Sequence, residues 1–163
     1  MDFNNLLKLA TIYSNATLSP DAKELLEEFE KLDVKYVVIG GIALELLGIR
    51  SSSGDTDILV EPTIENSVKT YKAMAAFGLP LRMLGATPDM FAKGQNLRVG
   101  HVLEIMSGLD EIPLSFDEIY AGREVVDGIC IAGKDTIRKM KAKSTRPKDL
   151  RDVKTLSKIL GLE

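Results

Sequence analysis

KYVVIGGIALELLGIRSSSGDTDILV, residues Lys35 to Val60, is the stretch from which the architecture can be read. Val34 to Ile39 is β-branched and apolar on both faces apart from Lys35, as in a central strand covered on both sides. Gly40-Gly41 ends that run. Ile42 to Leu47 predicts a short helix, closed by Gly48 near its C-terminus. A polar loop, Arg50-Ser51-Ser52-Ser53-Gly54, leads into a second strand, Asp55 to Val60, ended by Glu61-Pro62. Asp55 and Asp57 are two residues apart, and strand side chains alternate between faces, so both carboxylates share one side of the sheet. Ile58, Leu59 and Val60 follow at once, which places the pair at the edge of the core. Two such acids repel each other, and a divalent cation between them removes the repulsion.

Outward from this stretch, helical and strand periods alternate. Phe3, Leu6, Leu7, Ala10 and Tyr13 predict an N-terminal helix over residues 2–14. Ser19-Pro20 opens a second helix running to about Leu32, with Leu25, Leu26, Phe29 and Leu32 on one face. Thr63 caps a helix to about Phe77, with Ile64, Val68, Tyr71, Met74 and Ala75 as its expected core face. Thr87-Pro88-Asp89 reads as a helix start. Leu97–Val99 and His101–Met106 predict strands about a Gly100 turn, and Ser115 starts a short helix. Glu124–Val126 and Ile129–Ile131 predict a hairpin around Asp127-Gly128. Asp135 to about Lys143 and Lys148 to Leu160 predict the last two helices. The expected fold class is α/β (α+β): one domain over residues 1–163, a central mixed β-sheet flanked by helices. Residues 1–33 form N-terminal helices packed on that core, and residues 134–163 form C-terminal helices.

The chain has 163 residues, 45% of them hydrophobic and 28% charged, enough for a real core. With 21 Lys and Arg against 24 Asp and Glu the formal net charge is -3. That balance argues against a broad footprint on nucleic acid but leaves room for a local basic patch. Cys130, the single cysteine, lies in an apolar run that suggests a buried thiol and cannot form an internal disulfide. No apolar run approaches the roughly 18 residues of a membrane span, and the N-terminus lacks a basic flank, so a cytoplasmic protein is expected. A single histidine, His101, makes multi-histidine zinc sites and a Ser-His-Asp arrangement poor candidates.

Three features carry chemistry. Gly40-Gly41 between strand and helix lets backbone amides approach a phosphate, although many strand-to-helix turns use glycine for geometry alone. Asp55 and Asp57 share a strand face. Glu104 lies inside the apolar run VLEIM, where a lone charge is costly to bury unless paired or metal-bound; an edge strand with Glu104 facing water is the other option. Two acids and a third on a neighbouring strand are what two-metal phosphoryl transfer needs. Lys139, Lys141, Lys143, Arg146, Lys148 and Arg151 form a basic cluster between the last two helices. It either neutralises a triphosphate or an RNA backbone, or is a solvated face in which Asp149 and Asp152 balance charge.

The succession of GG, a helix and then SxDxDILV resembles the nucleotidyltransferase superfamily typified by DNA polymerase beta. Its pattern is a G-[GS] turn followed by D-h-[DE]-h, with a third acid on a later strand. A closer resemblance is to the AbiEii-like and related uncharacterised bacterial nucleotidyltransferases. These often read G-x-x-R-x-T-x-D-I-D-L early and K-x-x-A-x-x-R-x-K-D-x-x-D near the end. Here the end reads Lys141, then Arg146-Pro147-Lys148-Asp149 and Asp152. The likeness covers roughly residues 34–160. Departures are Glu104 in place of the commoner Asp, Thr56 between the two aspartates, and Arg50 one residue earlier than usual.

The resemblance implies a minimal nucleotidyltransferase fold. Gly40, Gly41 and Ser53 lie near the nucleotide, and Asp55, Asp57 and Glu104 are the catalytic, metal-holding acids. Lys141, Arg146 and Asp149 are nucleotide-binding or supporting residues, and Mg2+ or Mn2+ is the cofactor. The implied activity is transfer of NMP from an NTP to an acceptor hydroxyl. The acceptor would be RNA or a tRNA end, a protein side chain or a small molecule, and an antitoxin a possible partner. The alternative is a catalytically weak or inactive nucleotide-binding or interaction module on the same fold.

Overall fold

A computed structural model describes residues 20–52, 55–100, 103–108 and 112–162. The expected helix over residues 2–14, together with Ser53 and His101, lies outside these residues. Six helices and a six-stranded mixed sheet are present among those described, the expected α+β class. In chain order the elements begin α1 (Pro20–Lys31), β1 (Tyr36–Ile39), α2 (Gly40–Leu46), β2 (Thr56–Val60) and α3 (Ile64–Phe77). A 3-10 turn (Met90–Lys93), β3 (Leu97–Val99), β4 (Leu103–Met106) and α4 (Phe116–Ala121) follow. The chain closes with β5 (Glu124–Val126), β6 (Ile129–Ile131), α5 (Lys134–Lys141) and α6 (Pro147–Ile159).

The strands lie in the order β3-β4-β2-β1-β6-β5. β1 pairs antiparallel with β2 and parallel with β6, β2 runs parallel to β4, and the β3–β4 and β5–β6 pairs are antiparallel. All four residues of β1 are buried, as its two-faced apolar sequence requires of an inner strand. One core runs from Leu25 of α1 through the sheet to Leu156 of α6. Tyr36 locks α1 onto it. Its ring meets Phe29 edge-on at 5.7 Å, its hydroxyl donates to Glu30 Oε1 at 2.8 Å, and it accepts from the Cys130 N–H at 3.2 Å. Burial, chiefly, pushes the Tyr36 phenol up.

Three sequence expectations are corrected. The short helix takes in the glycine pair and begins at Gly40 rather than Ile42. The buried face of α3 is Asn66, Ser67, Thr70, Ala73, Met74 and Phe77, and Ile64 is 63% exposed. Apolar periodicity pointed to the wrong face because this one is polar near its start and its groups are all engaged. Asn66 accepts from the Lys35 N–H at 2.8 Å and donates to the carbonyls of Lys35 (3.0 Å) and Glu61 (3.1 Å). It thereby clips α3 to the start of β1 and the end of β2. Ser67 Oγ donates to the Pro88 carbonyl and accepts from the Phe91 N–H. Cys130 is half-buried rather than enclosed: its strand alternates, and its Sγ lies 3.9 Å from Glu30 Oε1 of α1.

The turn chemistry follows the sequence closely. Thr63 accepts from the Asn66 N–H, and Ser115 and Glu118 form a capping box. Asp127 and Gly128 both have positive φ, the type I′ geometry expected of a two-residue hairpin.

Candidate active site

Register places the acids. Ile39 of β1 faces Asp57 of β2, Asp57 faces Glu104 of β4, and Glu104 faces Arg98 of β3. Directly opposed residues share a face, so Asp57, Glu104 and Arg98 form a row across three neighbouring strands at one end of the sheet. Asp55 immediately precedes β2 at the same end. Arg98 ties the row together. Its Nη2 lies 2.6 Å from Glu104 Oε2 and its Nη1 lies 3.4 Å from Asp55 Oδ2.

Asp57 sits in the middle of this charge. Burial, then the neighbouring Glu104 and Asp55 carboxylates, push its carboxyl up to about 6, and only Arg98 pulls the other way. Gly40 has φ +77°, a left-handed conformation, and a Cβ built on it would lie 3.2 Å from Asp57 Oδ2. A Cβ on Gly41 would lie 3.0 Å from Ser52 Oγ. Both glycines thus let the first turn of α2 press against the acid strand and its loop. This tight packing is a structural reason for the pair that stands beside the phosphate reading.

The C-terminal helices face the acids across a cleft. Arg50 grips Asp152 in a bidentate pair, Nε to Oδ1 at 2.7 Å and Nη2 to Oδ2 at 2.8 Å. Lys141 Nζ lies 3.0 Å from both Asp149 Oδ1 and Asp152 Oδ2, and Ser144 Oγ donates to Asp149 Oδ2 at 2.7 Å. Burial alone would push Asp149 and Asp152 up. The hydrogen bonds from Ser144 and Lys141 to the first, and from Arg50 and Lys141 to the second, outweigh it and hold both below the usual value. Asp149 therefore positions Lys141, and its own oxygens are engaged.

The cleft has a volume of about 280 Å³. Gly40, Gly41, Asp55 and Asp57 form one wall, and Lys141, Arg146 and Lys148 stand among the residues of the other. Of the sequence-predicted site residues, Gly40, Gly41, Asp55, Asp57, Lys141, Arg146 and Asp149 meet here. Ser53 is outside the described residues. Glu104 is in register with Asp57 but does not line the cleft, and its charge is engaged by Arg98. The edge-strand option for Glu104 does not hold, because β4 lies between β3 and β2; its side chain is 18% exposed and paired with Arg98. Among the described residues no group of three or more His, Cys, Asp or Glu side chains is arranged to hold a metal ion.

Arg98 and Arg50 carry parts of the site that the sequence reading left unassigned. The signal for Arg98 lay in the expected strands themselves, since folding Leu97–Val99 back on the following strand puts Arg98 opposite Glu104. Arg50 lies 102 residues from Asp152, and no local pattern announces that pair.

Beyond the cleft, a groove of about 410 Å³ shares Arg50 and Lys148 with it and continues along Arg151 and Thr155 of α6. A larger cavity of about 540 Å³ lies apart, near Glu124, Lys134 and Asp135. Its charges are spent on one another, with Lys134 Nζ 3.1 Å from Glu124 and Lys139 Nζ 3.2 Å from Asp135. Compared with known proteins, the chain matches no family model, no curated protein and no solved structure.

Proposed function

We propose that the chain is a metal-dependent nucleotidyltransferase, transferring NMP from an NTP to an acceptor hydroxyl. One observation carries the reading: Asp55 and Asp57 face Lys141, Arg146 and Lys148 across a single cleft. One wall suits a cation and the other suits phosphates. The carboxylate oxygens are hard donors and outnumber the positive charge that Arg98 brings to them. Magnesium commonly takes only one or two protein carboxylates and completes its shell with phosphate oxygens and water, so a pair suffices without an all-protein cage. Asp55 and Asp57 would hold Mg2+ or Mn2+, with Glu104 behind them as the third acid. When bound, the cation supplies neutralisation of charge on the phosphate oxygens.

The remaining roles belong to side chains. Arg146 and Lys148, both exposed, neutralise the triphosphate, and Asp149 and Asp152 keep Lys141 pointed at the cleft. The acceptor approaches along α6. Residues 134–163 contain ten Lys and Arg and four Asp and Glu in a chain that is otherwise acidic, which favours a polyanionic acceptor such as RNA. An antitoxin-like partner and a cytoplasmic location rest on the resemblance and the sequence alone. Among the described residues no helix is long and apolar enough to cross a membrane.

A specific observation supports the second reading, an inactive nucleotide-binding module. Arg98 engages both Asp55 and Glu104, and Glu104 stands outside the cleft. One experiment separates the two. The protein is incubated with Mg2+, each α-labelled NTP and total RNA, and label transfer and pyrophosphate release are measured. Transfer by the wild type, absent in Asp55→Ala/Asp57→Ala, supports the enzyme. Magnesium-dependent NTP binding without transfer supports the module, and equal behaviour of wild type and variant sinks the enzyme reading.

A further inference from the structure

The acid row holds a cation of its own. Arg98 lies on β3, the edge strand, with Leu97 and Val99 buried on either side of it and its own side chain 52% exposed. The backbone of β3 is therefore anchored by its neighbours, while the guanidinium reaches over the sheet face. One of its nitrogens meets Glu104 and another meets Asp55, which join the site from different strands. Both carboxylates flank Asp57, whose side chain Arg98 does not bridge in any hydrogen bond or ion pair among the described residues. A guanidinium spread over two acids satisfies them only in part, because it spreads one charge over a plane. A divalent cation carries twice that charge at a point, and it would repel a guanidinium beside it.

We propose that Arg98 is a built-in counter-cation, holding Asp55 and Glu104 until a divalent cation takes its place. Cation entry and release of Arg98 are one exchange. This rests on the metal site of the nucleotidyltransferase reading. The exchange accounts for the placement of Asp55 and Glu104, which are arranged around the guanidinium. It needs no movement of β3, since an arginine stem can rotate into solvent from an edge strand while Leu97 and Val99 stay packed. The released guanidinium is a bidentate donor beside Asp55, suited to a phosphate arriving with the cation.

The test uses the full chain and Mn2+ alone, titrated by electron paramagnetic resonance. Arg98→Gln is expected to bind Mn2+ about five- to tenfold more tightly than wild type, the lower range of ordinary coupling between two ligands. A second arm uses wild-type protein. Arg98 is labelled with an arginine-selective dicarbonyl and followed by peptide mass spectrometry, and Mn2+ is expected to speed its labelling several-fold while Arg151 is unaffected. Equal or weaker Mn2+ binding by Arg98→Gln, or labelling of Arg98 indifferent to Mn2+, overturns the exchange and leaves the metal site standing. If neither wild type nor Arg98→Gln binds Mn2+ up to millimolar concentration, the exchange and the metal reading fall together.

Discussion

Asp57 bears the conflict on which the site turns. Its carboxyl is raised from 3.8 to about 6, so the folded state binds a proton there more readily than the unfolded chain does. Its contribution to stability is fully present below 3.8 and is lost as pH rises through about 6. Asp57→Asn keeps the shape without the charge. The variant should match wild type in acid and exceed it by about 1–2 kcal/mol above pH 6, after allowance for partial exposure. Denaturant melts at two pH values measure this. The same variant should lower nucleotidyl transfer by about two orders of magnitude or more, the consequence of losing several kcal/mol of charge stabilisation. A more stable, inactive protein is the signature of a strained functional group. Gly40→Ala tests the neighbour. A left-handed non-glycine residue costs roughly 1–2 kcal/mol, and here the new Cβ also meets Asp57 Oδ2 at 3.2 Å. Lower melting temperature together with loss of activity is expected, and an unchanged melt would show that the turn relaxes.

Elements are joined by a few buried polar residues whose partners are distant in sequence. Asn66→Ala removes three hydrogen bonds between α3 and the ends of β1 and β2. It should cost about 2–3 kcal/mol, because backbone groups are left without partners. Thermal unfolding reads that loss, and transfer by the folded variant should be intact, since the site lies at the opposite ends of those strands. Asp152 is the corresponding joint for α6. Asp152→Ala takes from Arg50 its carboxylate partner and from Lys141 one of two, for an expected loss of about 2–4 kcal/mol. The pH dependence has the opposite sign to that of Asp57. Asp149 and Asp152 have depressed carboxyls, so their contribution is present above the ordinary value of 3.8 and is lost as pH falls through their lowered values. Acid unfolding of wild type should therefore be steeper below pH 4 than that of Asp152→Ala.

At the scale of the molecule, charge is divided. The net charge of -3 conceals a basic pair of C-terminal helices set against an acidic remainder. Their exposed cations follow the groove that leaves the cleft, and Lys148 and Arg151 line it. Lys148→Glu/Arg151→Glu should weaken RNA binding at all sequences alike. It should also flatten the salt dependence by about 0.7 in log–log slope for each phosphate that is no longer neutralised. Filter binding at several salt concentrations measures both, and an unchanged slope would remove α6 from the acceptor path. α6 offers no aromatic side chain on which a base could stack, so an RNA bound there would be read through its backbone.

Much of this was legible along the chain because it is local. Two-faced apolar runs make inner strands, Thr63 and Ser115 cap helices, and Asp127-Gly128 turns a hairpin, each from chemistry within a few residues. The same locality marked Asp55, Asp57 and Glu104 as charges out of place beside apolar neighbours. Register was not local. Only strand pairing set Glu104 between Asp57 and Arg98, and only packing brought Asp152 onto Arg50 across 102 positions. The buried face of α3 was misread for the same reason, because whether Asn66 can be buried depends on carbonyls supplied by two other strands. The sequence by itself determined the elements and the residues that could bear chemistry. The tertiary structure alone decided which of those charges neutralise one another, because electrostatic energy depends on distance in space and the chain encodes distance only along itself.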